Sequence, residues 1–215
     1  MIPLLHDFTD TTVLVFGGGS VGARKARRFT READVIVVSP AFADTDFGGA
    51  ERVRAAPDTD DVTDWVADAD PALVVAATDD GELNGAIERA ARDAGALVNR
   101  TDEHGERDSG SVVVPATVRD GPVTVAISTG GTSPALSRYL RQRIEDDVDG
   151  AGEMARLTGE LRAELQADAV DPERRRNAVR AVVRSARVWK HLDSGRTKRR
   201  QVAEDVIADV TGDLQ

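Results

Sequence analysis

Residues 17–22 read Gly17-Gly18-Gly19-Ser20-Val21-Gly22, which satisfies the pattern G-x-G-x-x-G at Gly17, Gly19 and Gly22. Glycines at this spacing serve phosphate binding. The first permits a tight turn, the second lets backbone approach a pyrophosphate, and the third lets a helix pack closely on a strand. The helix N-terminus then offers its N–H groups to the anion. The motif lies between the apolar run Val13–Phe16 and a helical stretch from Val21 to Glu32, and that strand–turn–helix context points to a dinucleotide. A glycine-rich turn that serves only packing is the competing reading.

Two further strand ends qualify the ligand. The run Val35–Val38 closes with Ser39-Pro40, where a carboxylate about 20 residues beyond the motif would ordinarily hold a ribose hydroxyl. Ser39 can bond that hydroxyl instead, and no arginine follows at this strand end to meet a 2′-phosphate, which favours NAD over NADP. The run Leu73–Ala77 leads into Thr78-Asp79-Asp80, the loop that in such folds touches the nicotinamide half. Asp79 and Asp80 serve equally well as helix N-caps. Other chemistries are excluded. Tyr139 is the only tyrosine and Arg143, not lysine, stands four residues on; no P-loop occurs; His6, His104 and His191 match no zinc-ligand spacing. The absence of cysteine removes thiol nucleophiles, disulfides and cysteine-ligated metal, so no metal site is expected.

The elements that must position these residues alternate. Val13–Phe16, Val35–Val38, Leu73–Ala77 and Ala96–Val98 read as strands, with helices at Val21–Glu32 and Glu82–Ala94 and a polar loop or short edge element over Asp44–Asp61. The pattern predicts an α/β, Rossmann-type parallel sheet covered on both faces. Beyond it, Ser111–Val118 and Val123–Ser128 read as an antiparallel hairpin joined by Arg119-Asp120-Gly121-Pro122. A helix opens at Ser133-Pro134, striped by Ala135, Leu136, Tyr139, Leu140 and Ile144. Three helical stretches follow Gly150-Ala151-Gly152, the second opened by Pro172 and separated from the third by Gly195.

The 215 residues allow one large domain or two small ones. No apolar run is long enough to span a bilayer. Asp7 and Asp10 stand where a signal peptide would be basic, which predicts a cytoplasmic protein with no membrane partner. The net charge of −10 argues against general nucleic-acid binding. Arginine supplies 25 of the 28 cations and aspartate outnumbers glutamate 26 to 12, a balance suited to a high-salt cytosol.

Taken in order, four segments resemble the dehydrogenase module of siroheme synthase, the precorrin-2 dehydrogenase and sirohydrochlorin ferrochelatase family. They are Gly17–Lys25, Ala76–Asp80 with Asn84, Val98-Asn99-Arg100-Thr101-Asp102, and Thr129-Gly130-Gly131-Thr132-Ser133-Pro134. The resemblance covers about residues 1–145. Three features depart from the family pattern: a longer, polar loop at Glu103–Gly110, Val112 where an aromatic residue is common, and no methyltransferase domain before Gln215.

The resemblance implies NAD-dependent oxidation of precorrin-2, a tetrapyrrole, to sirohydrochlorin. It also implies iron insertion in those members that act as chelatases, with ferrous iron as substrate. It places Asp102, rather than His104, as the catalytic base. It assigns Gly17, Gly18, Gly19, Ser20, Val21, Gly22, Thr78, Asp79 and Asn99 to the cofactor, beside Ser39 and Pro40 from the strand-end reading. Thr129, Gly130, Gly131, Thr132 and Ser133 face the substrate carboxylates, a helix N-terminus suited to anions, with Arg138 and Arg141 either adding charge or solvated. The implied organisation is a dinucleotide-binding domain over 1–113, a dimerisation segment over 114–149 that makes a homodimer, and a helical domain over 150–215. A domain that senses NAD without turnover is the alternative, but it would need neither the Asn99/Asp102 segment nor the Thr129–Pro134 loop.

Overall fold

The strands β1 (Thr12–Phe16) and β4 (Leu73–Ala76) are almost wholly buried because helices cover both faces of their sheet. Around them lie α1 (Ser20–Phe29), β2 (Asp34–Ser39), β3 (Glu51–Arg54), α2 (Val62–Ala69), α3 (Gly81–Asp93) and β5 (Leu97–Arg100). The computed structural model describes residues 2–102 and 111–212, and the chain divides into two units, Met1–Val114 with Gly130–Thr132 and Pro115–Thr129 with Ser133–Gln215.

In the first unit the strand order is β3-β2-β1-β4-β5 and every pair is parallel. Successive side chains point to opposite faces, so the strands feed two cores. Leu14, Phe16, Val38, Val74, Ala76 and Val98 pack under α2 and α3, against Val62, Val66, Ile87 and Ala91. Val13, Val15, Val35, Val37, Leu73 and Val75 pack under α1, against Ala23, Ala26 and Phe29. Each buried Val, Leu, Ile or Phe among them contributes about 1.5–3 kcal/mol by leaving water. The chain moves outward from β1 to β2 and β3, then returns to the other side of β1 as β4. That reversal opens a crevice at the carboxyl ends of β1 and β4, where ligands bind in open α/β sheets.

Two elements differ from the sequence pattern. The edge element proposed within Asp44–Asp61 is β3, held by β2 although three of its four residues are charged. No element is marked by sequence between Asp61 and Leu73, yet α2 forms there, burying only Val62 and Val66, one turn apart.

The second unit begins with β6 (Ala116–Asp120) and β7 (Val123–Ile127), which pair antiparallel. The strands run closer together than the sequence suggests, and the turn shrinks to Gly121-Pro122, with Gly121 at φ +52. Glycine at the first position of a two-residue loop suits the twist of the flanking strands. The predicted first strand also starts late: Ser111 makes only an isolated bridge to Val98, and the ladder begins at Ala116. Helix α4 (Pro134–Asp147) follows, then α5 (Ala151–Ala167), α6 (Pro172–Arg184), α7 (Ala186–Lys190) and α8 (Arg196–Gly212). Met154, Leu157, Leu161, Val182, Val188, Leu192 and Ala203 form their core. The stretch expected as one helix through Trp189 breaks at Ser185, whose side chain accepts from the Val188 N–H and starts α7. Helix α4 buries none of its residues, and Leu136 and Tyr139 on its apolar stripe are 46% and 53% exposed.

Candidate cofactor and catalytic site

Three of the four motif glycines are demanded by the chain's own backbone. Gly17 takes φ +118, and a Cβ there would lie 2.3 Å from the Ala77 carbonyl oxygen. A Cβ at Gly18 would lie 2.1 Å from the Ala41 carbonyl oxygen, and one at Gly22 1.9 Å from that of Gly17. Gly22 therefore admits the carbonyl of its own turn; the strand side chain nearest to it, Val15, is farther away at 3.7 Å. At Gly19 a Cβ would meet nothing within 4 Å. Gly19 is also the N-cap of α1 and makes no side-chain cap, so no capping side chain covers the first turn at exposed Ser20 and half-buried Val21. An open glycine before an uncapped helix N-terminus is the cradle a pyrophosphate needs.

Ser39 is buried at the end of β2 and donates its hydroxyl to the Ala41 carbonyl at 2.8 Å, which fixes the bend into exposed Pro40. The register of β3 sets Arg54 beside Ser39, and Arg54 Nη1 donates to the Pro40 carbonyl at 3.0 Å. The expectation that no arginine stands at this strand end is thereby corrected: the arginine arrives from the neighbouring strand.

After β4, the loop at Thr78 is tied to buried Asn84. The Asn84 Oδ1 accepts from the Thr78 backbone N–H at 3.2 Å and from its hydroxyl at 2.7 Å, and Asn84 Nδ2 donates to the Thr78 carbonyl at 3.1 Å. Thr78 thus shapes the loop. Asp80 is the N-cap of α3, accepting from the N–H groups of Glu82 and Leu83 at 2.9 and 3.1 Å. Asp79 sits between these two anchors at the carboxyl end of the sheet.

At the end of β5, Asn99 is buried and uses both ends of its carboxamide. Its Oδ1 accepts from Lys25 Nζ of α1 at 2.7 Å, and its Nδ2 donates to the Val112 carbonyl at 2.7 Å. Its side chain pins the chain returning at residue 112. Arg100 grips Asp102 with two bonds, Nε to Oδ1 at 3.1 Å and Nη2 to Oδ2 at 2.7 Å. Arg100 Nη1 also meets buried Glu88 at 3.1 Å, and Glu88 in turn binds Arg92. The Arg100 bonds hold the Asp102 carboxyl below its ordinary value of 3.8; partial burial opposes this and a bond from Asn84 assists it. Asp102 is thus an oriented, ionised carboxylate, its side chain 30% exposed. Sequence reasoning named Asp102 but assigned no role to Arg100 or Glu88; the Arg100-x-Asp102 spacing was the available signal. His104 and the loop Glu103–Gly110 lie outside the described residues.

The structure thus places the motif glycines, Ser39, Pro40, Thr78, Asp79, Asn99 and Asp102 at the carboxyl ends of β1, β2, β4 and β5 in one parallel sheet. The Thr129–Ser133 loop has its own internal order. The Thr129 hydroxyl meets the Ser137 hydroxyl at 3.1 Å and accepts from the Ser133 N–H at 3.2 Å, and the Ser133 hydroxyl caps α4 through the Leu136 N–H at 3.3 Å. Gly130 and Gly131 take φ +62 and +85, and a Cβ on either would meet nothing within 4 Å.

A doubly wound parallel sheet with this β1–α1 turn defines a dinucleotide-binding protein of the Rossmann class. Residues 4–116 match the family model described as "Putative NAD(P)-binding", and residues 120–147 match "Sirohaem biosynthesis protein central". The precorrin-2 dehydrogenase of Methanosarcina barkeri is 33% identical over 96% of this chain and 93% of its own length. Siroheme synthase 1 of Aeromonas salmonicida is 33% identical over 98% of this chain, which spans 45% of that protein. A siroheme synthase of Azotobacter vinelandii is 36% identical over 81% of this chain and 37% of its own. The solved structure of SirC, a precorrin-2 dehydrogenase, shares the fold at a TM-score of 0.70 and 21% identity, covering 96% of this chain and 98% of that one. The chain belongs to the precorrin-2 dehydrogenase family.

Proposed function

We propose that the protein oxidises precorrin-2 to sirohydrochlorin, with NAD as hydride acceptor. The observation that carries the reading is the cradle at Gly19 and the α1 N-terminus, at the carboxyl end of the same parallel sheet as an ionised Asp102. Bound NAD supplies an acceptor for two electrons and one hydrogen. The chain's own residues do the rest. The α1 N–H groups hold the pyrophosphate, Asn84 and Thr78 keep the nicotinamide-side loop in one shape, and Asn99 anchors β5. Precorrin-2 loses two hydrogens: one departs as hydride and the other as a proton to Asp102. Arg100 makes Asp102 a weak base. A weak base suffices, because loss of hydride leaves a cation conjugated with the pyrrole nitrogens and its neighbouring C–H is strongly acidic.

Four finer readings belong to the same proposal. The Thr129–Ser133 loop receives substrate carboxylates. The exposed apolar stripe of α4 is covered by a second copy, giving a homodimer. Asp102 also takes pyrrole protons if ferrous iron enters the product. The acidic, lysine-poor composition suits a cytoplasm of high salt. The direct test mixes the purified protein with precorrin-2 and NAD and follows absorbance. NADH and sirohydrochlorin rising together support the reading, whereas NAD binding without either product would indicate a sensor.

A further inference from the structure

We infer that Arg54 forms a 2′-phosphate subsite, so that the protein binds NADP as well as NAD; the inference rests on the dinucleotide reading above. In this fold the adenosine ribose lies at the end of β2, and selectivity there is set by charge. A carboxylate bonds the 2′-hydroxyl and repels a 2′-phosphate, whereas a nearby arginine attracts it. This chain has Ser39 at that strand end, and Pro40, Ala41, Phe42 and Ala43 follow, so the segment that would carry the repelling carboxylate carries none. The register of β3 supplies the cation instead. Arg54 is the partner of Ser39 in the ladder and holds the Pro40 carbonyl at 3.0 Å.

Arg54 also has a companion. Arg52, two residues earlier and therefore on the same face of β3, lies 5.7 Å from the centre of the Phe42 ring, and Arg54 lies 5.8 Å from the same centre. Two guanidinium groups thus gather on one aromatic ring just beyond the end of β2. A guanidinium carries five N–H donors in a fork that fits phosphate oxygens. Among the described residues Arg54 commits one of its donor nitrogens, to Pro40. The bond to Pro40 restrains the side chain and lowers the entropy lost when an anion arrives. Arg54 is exposed and its partner is a loop carbonyl, so the fold does not depend on it.

The test titrates NAD and NADP separately into the full chain at low salt, by calorimetry, for the wild type, Arg54→Ala and Arg54→Lys. The readout is the ratio of the two dissociation constants. The wild type binds both, and Arg54→Ala raises the NADP-to-NAD ratio of Kd by about tenfold, the loss expected for one charge-assisted bond. Arg54→Lys recovers part of that, and rising salt erodes the wild-type ratio toward that of Arg54→Ala. An unchanged ratio in Arg54→Ala overturns the inference, as does a wild type that binds NAD and excludes NADP. A wild type that binds neither overturns the dinucleotide reading itself, and the subsite with it.

Discussion

Replacing Gly19 by aspartate separates ligand binding from folding in a way that the other motif glycines do not allow. The backbone at Gly19 is extended, with φ −77, and a Cβ there meets nothing within 4 Å. The substitution leaves the chain unstrained while placing a carboxylate in front of the α1 N-terminus. A unit charge about 5 Å from a phosphate charge, at an effective dielectric near 20, costs about 3 kcal/mol. Because Gly19 is exposed to solvent, screening reduces this toward about 1.5 kcal/mol, so the affinity for NAD falls by about ten- to a hundredfold. Calorimetric titration with NAD measures the loss, and thermal unfolding of the free protein shows no matching change. Gly22→Ala behaves in the opposite sense. Its Cβ would lie 1.9 Å from the Gly17 carbonyl oxygen, so the turn itself must move and the melting temperature drops before any ligand is added. Binding of NAD by Gly19→Asp as tight as that of the wild type would mean that the pyrophosphate does not sit on this loop.

Two other outcomes follow from the geometry. Arg100→Met removes the largest influence holding the Asp102 carboxyl below 3.8 and leaves partial burial opposed only by the bond from Asn84 and a backbone bond, so the acid limb of NADH formation moves to higher pH; a limb that stays in place means Arg100 does not set this titration. Ionised Asp102 likewise stabilises the folded wild type at pH above its unfolded value, and this is lost as pH falls through the lower folded value. On the proposed homodimer, paired Leu136→Glu and Tyr139→Glu substitutions on α4 are expected to lower the sedimentation coefficient from that of a dimer to that of a monomer; unchanged sedimentation would show that this stripe is not an interface.

The central strands were legible because β1, β2 and β4 are buried on both faces and so read as continuous β-branched runs. The motif glycines were legible because their spacing reflects local backbone geometry. Strand β3 was legible only as a loop or short edge element within Asp44–Asp61, since Glu51, Arg52 and Arg54 carry no apolar pattern and pairing with β2 makes it a strand. For the same reason Arg54 stayed invisible as a neighbour of Pro40: the ladder register, not the chain, sets them side by side. At Asn99 the resemblance marked a cofactor residue, but the bonds of its carboxamide to Lys25, 74 residues away, and to the carbonyl of Val112 are set by packing and not by spacing along the chain. Asp102 was found from motif likeness alone; the Arg100 and Glu88 bonds that orient it depend on α3 packing beside β5.

The measurement that bears most directly on the account is the initial rate of NADH formation from precorrin-2 and NAD by Asp102→Ala, set beside the wild type and His104→Ala at matched cofactor saturation. Asp102→Ala is expected to lose most turnover while its NAD affinity holds, and His104→Ala to keep most of it. Full turnover in Asp102→Ala, or its loss in His104→Ala instead, would contradict the assignment of the base and the chemistry built on the β5 strand end.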